Sequence, residues 1–232
     1  SQTMPRRSRI VFPGIPLHLI QRGNNRQACF YAKEDYSFYL EWLHEYAIES
    51  GCAIHAFVLM TNHVHILLTP AKSNSVGTLM KKLGQRYVQY INRTYKRSGT
   101  LWEGRFRSCI IQQENYFLIC QRYIELNPVR AGMVDHPSKY RWTSYRANAD
   151  GEKNSLISRH SIYLQLGETY SKRQEAYREL FRFKLKQEII DKIRKATNGN
   201  FSLGDERFQN EIAQALGRRV KPGVPGRPKK KR

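Results

Sequence analysis

Thr61-Asn62-His63-Val64-His65-Ile66-Leu67-Leu68 is the stretch that decides the fold of this chain. It predicts a β-strand that starts near His63. Alternate residues of a strand face the same way, so His63 and His65 project side by side while the apolar residues point into packing. Two imidazoles placed in this way can bind one divalent metal ion, although an isolated His-x-His on a strand is more often structural.

The segments around this stretch predict a ferredoxin-like domain. The nearly apolar segment 52–60 turns at residues 60–62 into the His-x-His strand and forms a hairpin with it. Periodic apolar residues predict helices over about 34–50, 74–95 and 114–126, and strands over about 16–21 and 108–112. The resulting order is strand, helix, strand, strand, helix, strand. This is the α+β split βαβ arrangement with an antiparallel sheet, followed by a third helix.

The third predicted helix carries Tyr123, and Asn127 lies one turn further on, before Pro128. If the inner face of the sheet packs on the first two helices, His63 and His65 face the side that only the third helix remains to cover. The two imidazoles, the Tyr123 hydroxyl and the Asn127 amide can then converge. In isolation such a tyrosine is usually a core residue, and an asparagine before proline usually ends a helix.

A converging tyrosine and histidine pair would support phosphodiester chemistry. A tyrosine hydroxyl, with a pKa of about 10, is a poor nucleophile at neutral pH. A divalent metal on His63 and His65 would make a bound phosphate electrophilic and would leave room for the Asn127 amide oxygen. Attack by Tyr123 would produce a covalent phosphotyrosine that keeps the bond energy for rejoining.

The composition points to a nucleic-acid partner. The 232-residue chain has a net charge of +21, and the sequence pI is about 10.1. Nucleic acid is the first candidate partner and an anionic membrane surface the second. No apolar run approaches the roughly 20 residues of a membrane span, and no secretory signal is visible. The four cysteines form no C-x-x-C pair, which favours a reducing cytoplasm over a disulfide framework.

Several basic or aromatic segments are candidate DNA contacts, and each also has a bland interpretation as a solvated turn, loop or tail. The Gly-Arg-Pro tail near the C-terminus can lie in an A·T-rich minor groove. The aromatic, glycine and arginine mixture at residues 101–107 suits a base stacked on a ring. The candidate contacts are Arg6, Arg7, Arg22, Asn24, Arg26, Trp102, Arg105 and Arg227.

The chain divides at about residue 150. Residues 1–150 form the predicted domain, and the polar stretch 148–155 fits a linker. Residues 151–232 predict a basic helical extension, with helices over about 172–197 and 205–216 and a low-complexity, disordered-looking tail. The charge of this extension favours DNA binding.

Taken together, these motifs resemble a known enzyme family. His63-Val64-His65 is similar to the HUH motif, in which U is hydrophobic. Tyr123-Ile124-Glu125-Leu126-Asn127-Pro128-Val129-Arg130-Ala131-Gly132 resembles the nucleophile segment of single-tyrosine HUH transposases. The opening through Arg22-Gly23-Asn24-Asn25-Arg26, together with Leu101-Trp102-Glu103-Gly104-Arg105-Phe106, resembles the REP-associated tyrosine transposases. The resemblance covers about residues 4–146.

The resemblance implies a bacterial, cytoplasmic, nucleoid-acting enzyme that cleaves single-stranded DNA at or near hairpin-forming REP elements. It implies Mg²⁺ or Mn²⁺, a 5′-phosphotyrosine link and a free 3′-OH. By motif position, His63 and His65 are metal ligands and Tyr123 is the nucleophile. Asn127 stands where relatives carry a third, amide-type ligand, in some of them a longer Gln. The basic extension favours a monomer over the dimers of related insertion-sequence transposases, and a dimer stays open.

Rival functions remain open at the level of the sequence. One is a catalytically idle nucleic-acid-binding module that uses its ferredoxin-like sheet as RRMs do, which would leave the histidine pair unexplained. Another is a hydrolytic metal phosphodiesterase, which would need no tyrosine. HUH replication initiators share the chemistry and differ in biological context. A covalent protein–DNA intermediate separates the tyrosine enzymes from the other two.

Overall fold

A computed structural model describes residues 8–223 of the chain. In chain order the elements begin with β1 (Leu17–Arg22), α1 (Lys33–Ser50), β2 (Cys52–Leu59), β3 (His63–Pro70), α2 (Ser75–Thr94), β4 (Arg107–Ile111) and α3 (Gln113–Glu125). They continue with α4 (Asn127–Arg130), α5 (Tyr145–Ala149), α6 (Ser161–Leu164), α7 (Tyr170–Leu180), α8 (Gln187–Asn198), β5 (Ser202–Leu203) and α9 (Glu206–Leu216).

The strands form one sheet in the order β2-β3-β1-β4-β5 within the described residues. The first four strands are antiparallel, and β5 joins the edge of β4 in parallel. In the register of β1 and β3, Arg22 lies opposite His63 and Ile20 lies opposite His65. The α+β, split βαβ fold predicted from the sequence is therefore confirmed. The β5 edge strand is an addition that the sequence analysis did not predict.

The two faces of the sheet carry different layers. Val64, Ile66 and Leu68 are fully buried in the core cluster that includes α1 and α2, as predicted. The opposite face is covered by α3 and by α8, whose residues share a second buried cluster with Val58, Leu67 and Cys109. Burial of the second face by α8 was not predicted, and it places the C-terminal region on β1, β4 and β5, next to the strand that carries the histidine pair.

The C-terminal region differs from its prediction in the division of its first long helix. The single helix predicted over about 172–197 is two helices, α7 and α8, separated at residues 181–186, a stretch that contains neither glycine nor proline. The helix predicted over about 205–216 corresponds to α9. Ile190, Ile193, Ala196 and Thr197 of α8 are buried, and this one face of the helix packs against the sheet.

The predicted linker at 148–155 is wrong at its first residues. Asn148 lies in α5 and is only 1% exposed. Its side-chain nitrogen donates to the carbonyl of His55 and to the Glu125 carboxylate. The polar side chain is therefore buried because it has hydrogen-bond partners, whereas the sequence analysis took its polarity as a sign of exposure.

Two sequence predictions concern the environment of the chain. All four cysteines, Cys29, Cys52, Cys109 and Cys120, are free and buried. Across residues 8–223, none of the helices combines the length and the apolar character needed to cross a bilayer.

Candidate active site

Strand β3 presents His63 and His65 on the sheet face that α3 covers. Their ring centroids are 5.2 Å apart and the ring planes are nearly perpendicular, at 82°. His63 is partly exposed, whereas His65 is only 3% exposed. The predicted side-by-side projection of the two imidazoles is present, with one of them open to solvent.

Helix α3 brings Tyr123 over this pair. Tyr123 shares a buried face with Phe117, Cys120 and Ile124, so the apolar stripe that docks the helix also orients the tyrosine. The centroid of its ring is 5.8 Å from that of His65, and the ring planes meet at 86°. Asn127, the first residue of α4, forms a side-chain hydrogen bond that raises the pKa of His63 against the larger effect of burial. The four residues predicted to converge are therefore adjacent.

Two arginines give the site a positive charge. The Arg130 guanidinium lies 4.2 Å from the Tyr123 ring centroid and donates to the Tyr123 carbonyl oxygen. Burial lowers the pKa of Arg130 to about 10. Arg22, on the neighbouring strand, is near enough for its charge to lower the pKa of both histidines, after the larger effect of burial. Among residues 8–223 neither arginine forms a salt bridge, so both charges remain available to a phosphate.

The donor atoms suit a metal bound by two imidazoles and an amide. Asn62 Nδ2 donates to the Arg26 carbonyl, which turns Asn62 Oδ1 toward His63 Nδ1 at 2.7 Å. His63 therefore carries a proton on Nδ1 and donates it to Asn62 Oδ1. Burial lowers the pKa of His63 to about 4 and that of His65 well below its usual range, and ligating imidazoles have to be neutral. Across the described part of the chain no three His, Cys, Asp or Glu side chains form a metal-binding group.

The two loops predicted to contact DNA form one surface. The backbone nitrogen of Asn24 donates to the Leu101 carbonyl at 2.9 Å, and that of Glu103 donates to the Arg22 carbonyl at 2.7 Å. Arg26 and Arg105 are exposed on these loops. Beside them lies a groove of about 1140 Å³, whose polar lining includes Arg9, Asn24, Lys81, Arg105, Arg107 and Asn198.

One predicted DNA contact needs correction, and three lie outside the described residues. Trp102 is only 5% exposed, and its ring lies 6.1 Å from that of Tyr87 and 6.4 Å from that of Tyr39. Aromatic neighbours cover the indole, so it is not free to stack on a base. Arg6, Arg7 and Arg227 fall outside residues 8–223.

The sequence analysis missed three residues next to the pair: Arg130, His18 on β1 and Thr197 on α8. His18 Nε2 lies 2.8 Å from His65 Nδ1, and Thr197 Oγ1 lies 2.8 Å from His18 Nδ1. A histidine inside an otherwise apolar strand was the available signal for His18. Nothing local marked Thr197, which is 179 residues away from His18.

A split βαβ sheet that carries paired histidines opposite a helical tyrosine defines a class, the tyrosine transposases that cleave DNA. The family model described as IS200-like transposase matches residues 12–127. The chain belongs to the IS200-like transposase family.

A solved structure agrees with this fold. The chain is similar to a REP-associated tyrosine transposase bound to a REP hairpin, with a TM-score of 0.55 and 16% identity over 68% of this chain and 93% of the other. A protein from Deinococcus radiodurans R1, described as a candidate transposase, matches with a TM-score of 0.36 and 21% identity over 54% of this chain and 95% of the other. No curated protein sequence gives a significant match.

Proposed function

We propose that this transposase cleaves and rejoins single-stranded DNA at hairpin-forming REP-type elements through a 5′-phosphotyrosine, with Mg²⁺ or Mn²⁺ as cofactor. The observation that carries the proposal is the approach of the Tyr123 ring to within 5.8 Å of His65, with His63 beside it. A tyrosine that served only as core packing would not require histidines on the sheet face that it covers. This arrangement supports Tyr123 as nucleophile and the histidines as metal ligands.

The chemical step exchanges one phosphate ester for another. Tyr123 Oη attacks the phosphorus and forms a new P–O bond as the bond from phosphorus to the 3′ oxygen breaks. The phenol loses its proton and the departing 3′ oxygen gains one, so no oxidant, reductant or water is consumed. Reversal with another 3′-OH rejoins the strand, because the phosphotyrosine conserves the ester bond.

The residues around Tyr123 divide the remaining tasks. Arg130 and Arg22 would offset the charge of the phosphate, and Arg130 also contacts the tyrosine ring and bonds its backbone carbonyl. His63, His65 and Asn127 would hold the metal. When bound, the metal would polarise the phosphate and stabilise the departing oxygen.

The proposed DNA site is the groove beside the paired loops. Arg105 and Lys81 are exposed there, and Arg22 connects the groove to the catalytic residues through a 3.0 Å hydrogen bond to Asn198. The similar solved transposase is described as bound to a REP hairpin. That fold similarity and the +21 net charge support a hairpin with an adjoining single strand as the substrate of this chain.

A monomeric enzyme is the proposed assembly. Tyr123 approaches the histidines of its own chain, because α3 packs on the same chain's β2 and β3. One chain thus carries the nucleophile and the metal ligands together. Light scattering after size exclusion, with and without hairpin DNA, measures the mass, and a stable dimer in both conditions would contradict this assembly.

The decisive experiment is a denaturing gel of the protein mixed with labelled single-stranded hairpin DNA and Mg²⁺. Wild type is expected to give a slowly migrating covalent adduct, and Tyr123→Phe none. Tyr116→Phe is the matched control, since Tyr116 lies on the same helix and its hydroxyl bonds Lys192 rather than the site. Cleavage without an adduct by both wild type and Tyr123→Phe would instead indicate a hydrolytic phosphodiesterase. Binding without cleavage, with Mn²⁺ also tried, would indicate a binding module.

A further inference from the structure

A buried chain of hydrogen bonds leads from the C-terminal region to His65. Thr197 Oγ1 lies 2.8 Å from His18 Nδ1, and His18 Nε2 lies 2.8 Å from His65 Nδ1. The three side chains are 2%, 1% and 3% exposed, so no bulk water competes for these bonds. His18 is a diagonal cross-strand neighbour of His65, since it pairs with Leu67 in the register of β1 and β3.

The direction of the bonds follows from the partners of Thr197. Its hydroxyl donates to the Ile193 carbonyl at 2.9 Å, so its oxygen accepts from His18 Nδ1, and the Cys109 thiol lies 3.2 Å from the same oxygen as a second donor. A neutral imidazole has a single N–H, which leaves His18 Nε2 as an acceptor. The proton in the bond between the two histidines must then belong to His65 Nδ1. His65 Nε2 consequently keeps its lone pair.

The neutral form of His18 is the one its surroundings permit. Its hydrogen-bond partners are a hydroxyl and another imidazole, and the charged side chain acting on it, Arg130, is positive. A buried cation with no opposing carboxylate is strongly disfavoured. His18 is also not a third ligand in this geometry, because its Nε2 is already used by His65.

Thr197, the last residue of this hydrogen-bonded series, lies outside residues 12–127, the segment that matches the transposase family model. Thr197 belongs to the last turn of α8, and its neighbours fasten that turn to the sheet. Asn198 accepts from Arg22 of β1, and Asn200 accepts from the backbone nitrogen of Ser108 in β4. The C-terminal region thus holds Thr197 in a fixed position relative to the catalytic sheet.

We propose that His18 and Thr197 are positioning residues that hold His65 with its proton on Nδ1 and its Nε2 lone pair free for a metal ligand bond. This inference rests on the proposed function, which supplies the metal ion that His65 Nε2 would bind. The same orientation at His63 is set locally by Asn62. Outer-shell hydrogen bonds of this kind fix the tautomer and the ring orientation of ligating histidines.

The first test uses metal-free, full-length protein labelled with ¹⁵N-histidine. Long-range ¹⁵N–¹H spectra report which ring nitrogen carries the proton, and a His65→Gln variant assigns the signals. The expected result is Nδ1–H at His65 and Nδ1–H at His18. A His65 proton on Nε2 in wild type overturns the proposal, whether or not any variant folds.

The second test measures Mn²⁺ affinity by calorimetry for Thr197→Val and Thr197→Ser. Thr197→Val removes the acceptor and should weaken Mn²⁺ binding by roughly tenfold or more, and Thr197→Ser should restore it. Thr143→Val is the matched control, since Thr143 is also buried and its hydroxyl bonds the Phe57 carbonyl. Unchanged affinity in a folded Thr197→Val overturns the proposal. Wild type that shows Nδ1–H at His65 but binds no Mn²⁺ supports the positioning role and contradicts the metal-dependent function.

Discussion

Glu125, two residues beyond Tyr123, should make the stability of the protein depend on pH. Its carboxylate is fully buried and accepts hydrogen bonds from Tyr177, Asn148 and Ser144. Burial raises its pKa from the ordinary 4.5 to about 7 in spite of these bonds. Because the folded state binds the proton more tightly than the unfolded state, protonation of Glu125 stabilises the fold. This contribution to the unfolding free energy is complete below about pH 4.5 and is lost as the pH rises through 7.

The size of the effect follows from the shift. Each pKa unit corresponds to about 1.4 kcal/mol, so a rise from 4.5 to about 7 amounts to about 3 kcal/mol, of which about 2.5 kcal/mol is lost between pH 5 and pH 8. Glu125→Gln removes the titrating group. The unfolding free energy of the variant minus that of wild type should therefore increase by about this amount across the interval.

Urea unfolding followed by circular dichroism at a series of pH values gives both curves. The comparison isolates Glu125, because the buried histidines titrate equally in the two proteins. Glu114→Gln, at an exposed position on the same helix, is the control for the loss of a carboxylate as such. Parallel curves for Glu125→Gln and wild type would refute the reasoning, since Glu125 would then titrate alike in the folded and unfolded states.

Three further predictions concern the DNA groove, the amide ligand and the core. Lys81→Gln should lower the slope of log DNA affinity against log salt concentration by about one. Lys82→Gln is the control and should leave the slope unchanged, because the Lys82 amine already pairs with Glu49. Equal slopes for the two variants, from titrations at several salt concentrations, would exclude the groove as the DNA site. Asn127→Ala should weaken Mn²⁺ binding measured by calorimetry, and Asn127→Gln should recover part of the affinity because an amide oxygen returns. Equal Mn²⁺ affinities of wild type and Asn127→Ala would show that Asn127 is not a metal ligand. Trp102→Ala should reduce the unfolding free energy by about 3 kcal/mol or more, because the indole is buried. The DNA affinity of the folded fraction should stay nearly unchanged. Loss of affinity without loss of stability would instead indicate that Trp102 stacks on a DNA base.

The sequence was informative wherever a local rule decided the structure. The period-two alternation at His63-Val64-His65 assigned each side chain to a sheet face, and the helical spacing around Tyr123 placed the tyrosine on the buried stripe of α3. The predicted ends of these elements lie within a residue or two of the observed ends. The convergence of the histidines with Tyr123 followed because the split βαβ order leaves one sheet face for the third helix.

The remaining features depend on contacts distant in sequence. Thr197 meets His18 only after α8 has packed on the second sheet face, and the amphipathic pattern of α8 does not specify which surface the helix will cover. Strand β5 spans two residues, too few for periodicity to show. Asn148 was misplaced in a linker because its buried partner, Glu125, comes from another helix. Trp102 was misjudged because its aromatic neighbours lie elsewhere in the chain.

The packing of α8 against β1 and β4 has a consequence for the order of synthesis. A ribosome releases β3 and α3, and with them every proposed catalytic group, before it has made α8. Until Thr197 and Asn198 emerge, the nascent chain holds a tyrosine and two histidines, while His18 and Arg22 still lack their partners on α8. The site is therefore complete only late in translation. A chain interrupted before α8 would carry the proposed nucleophile but would lack the hydrogen-bond partners of His18 and Arg22.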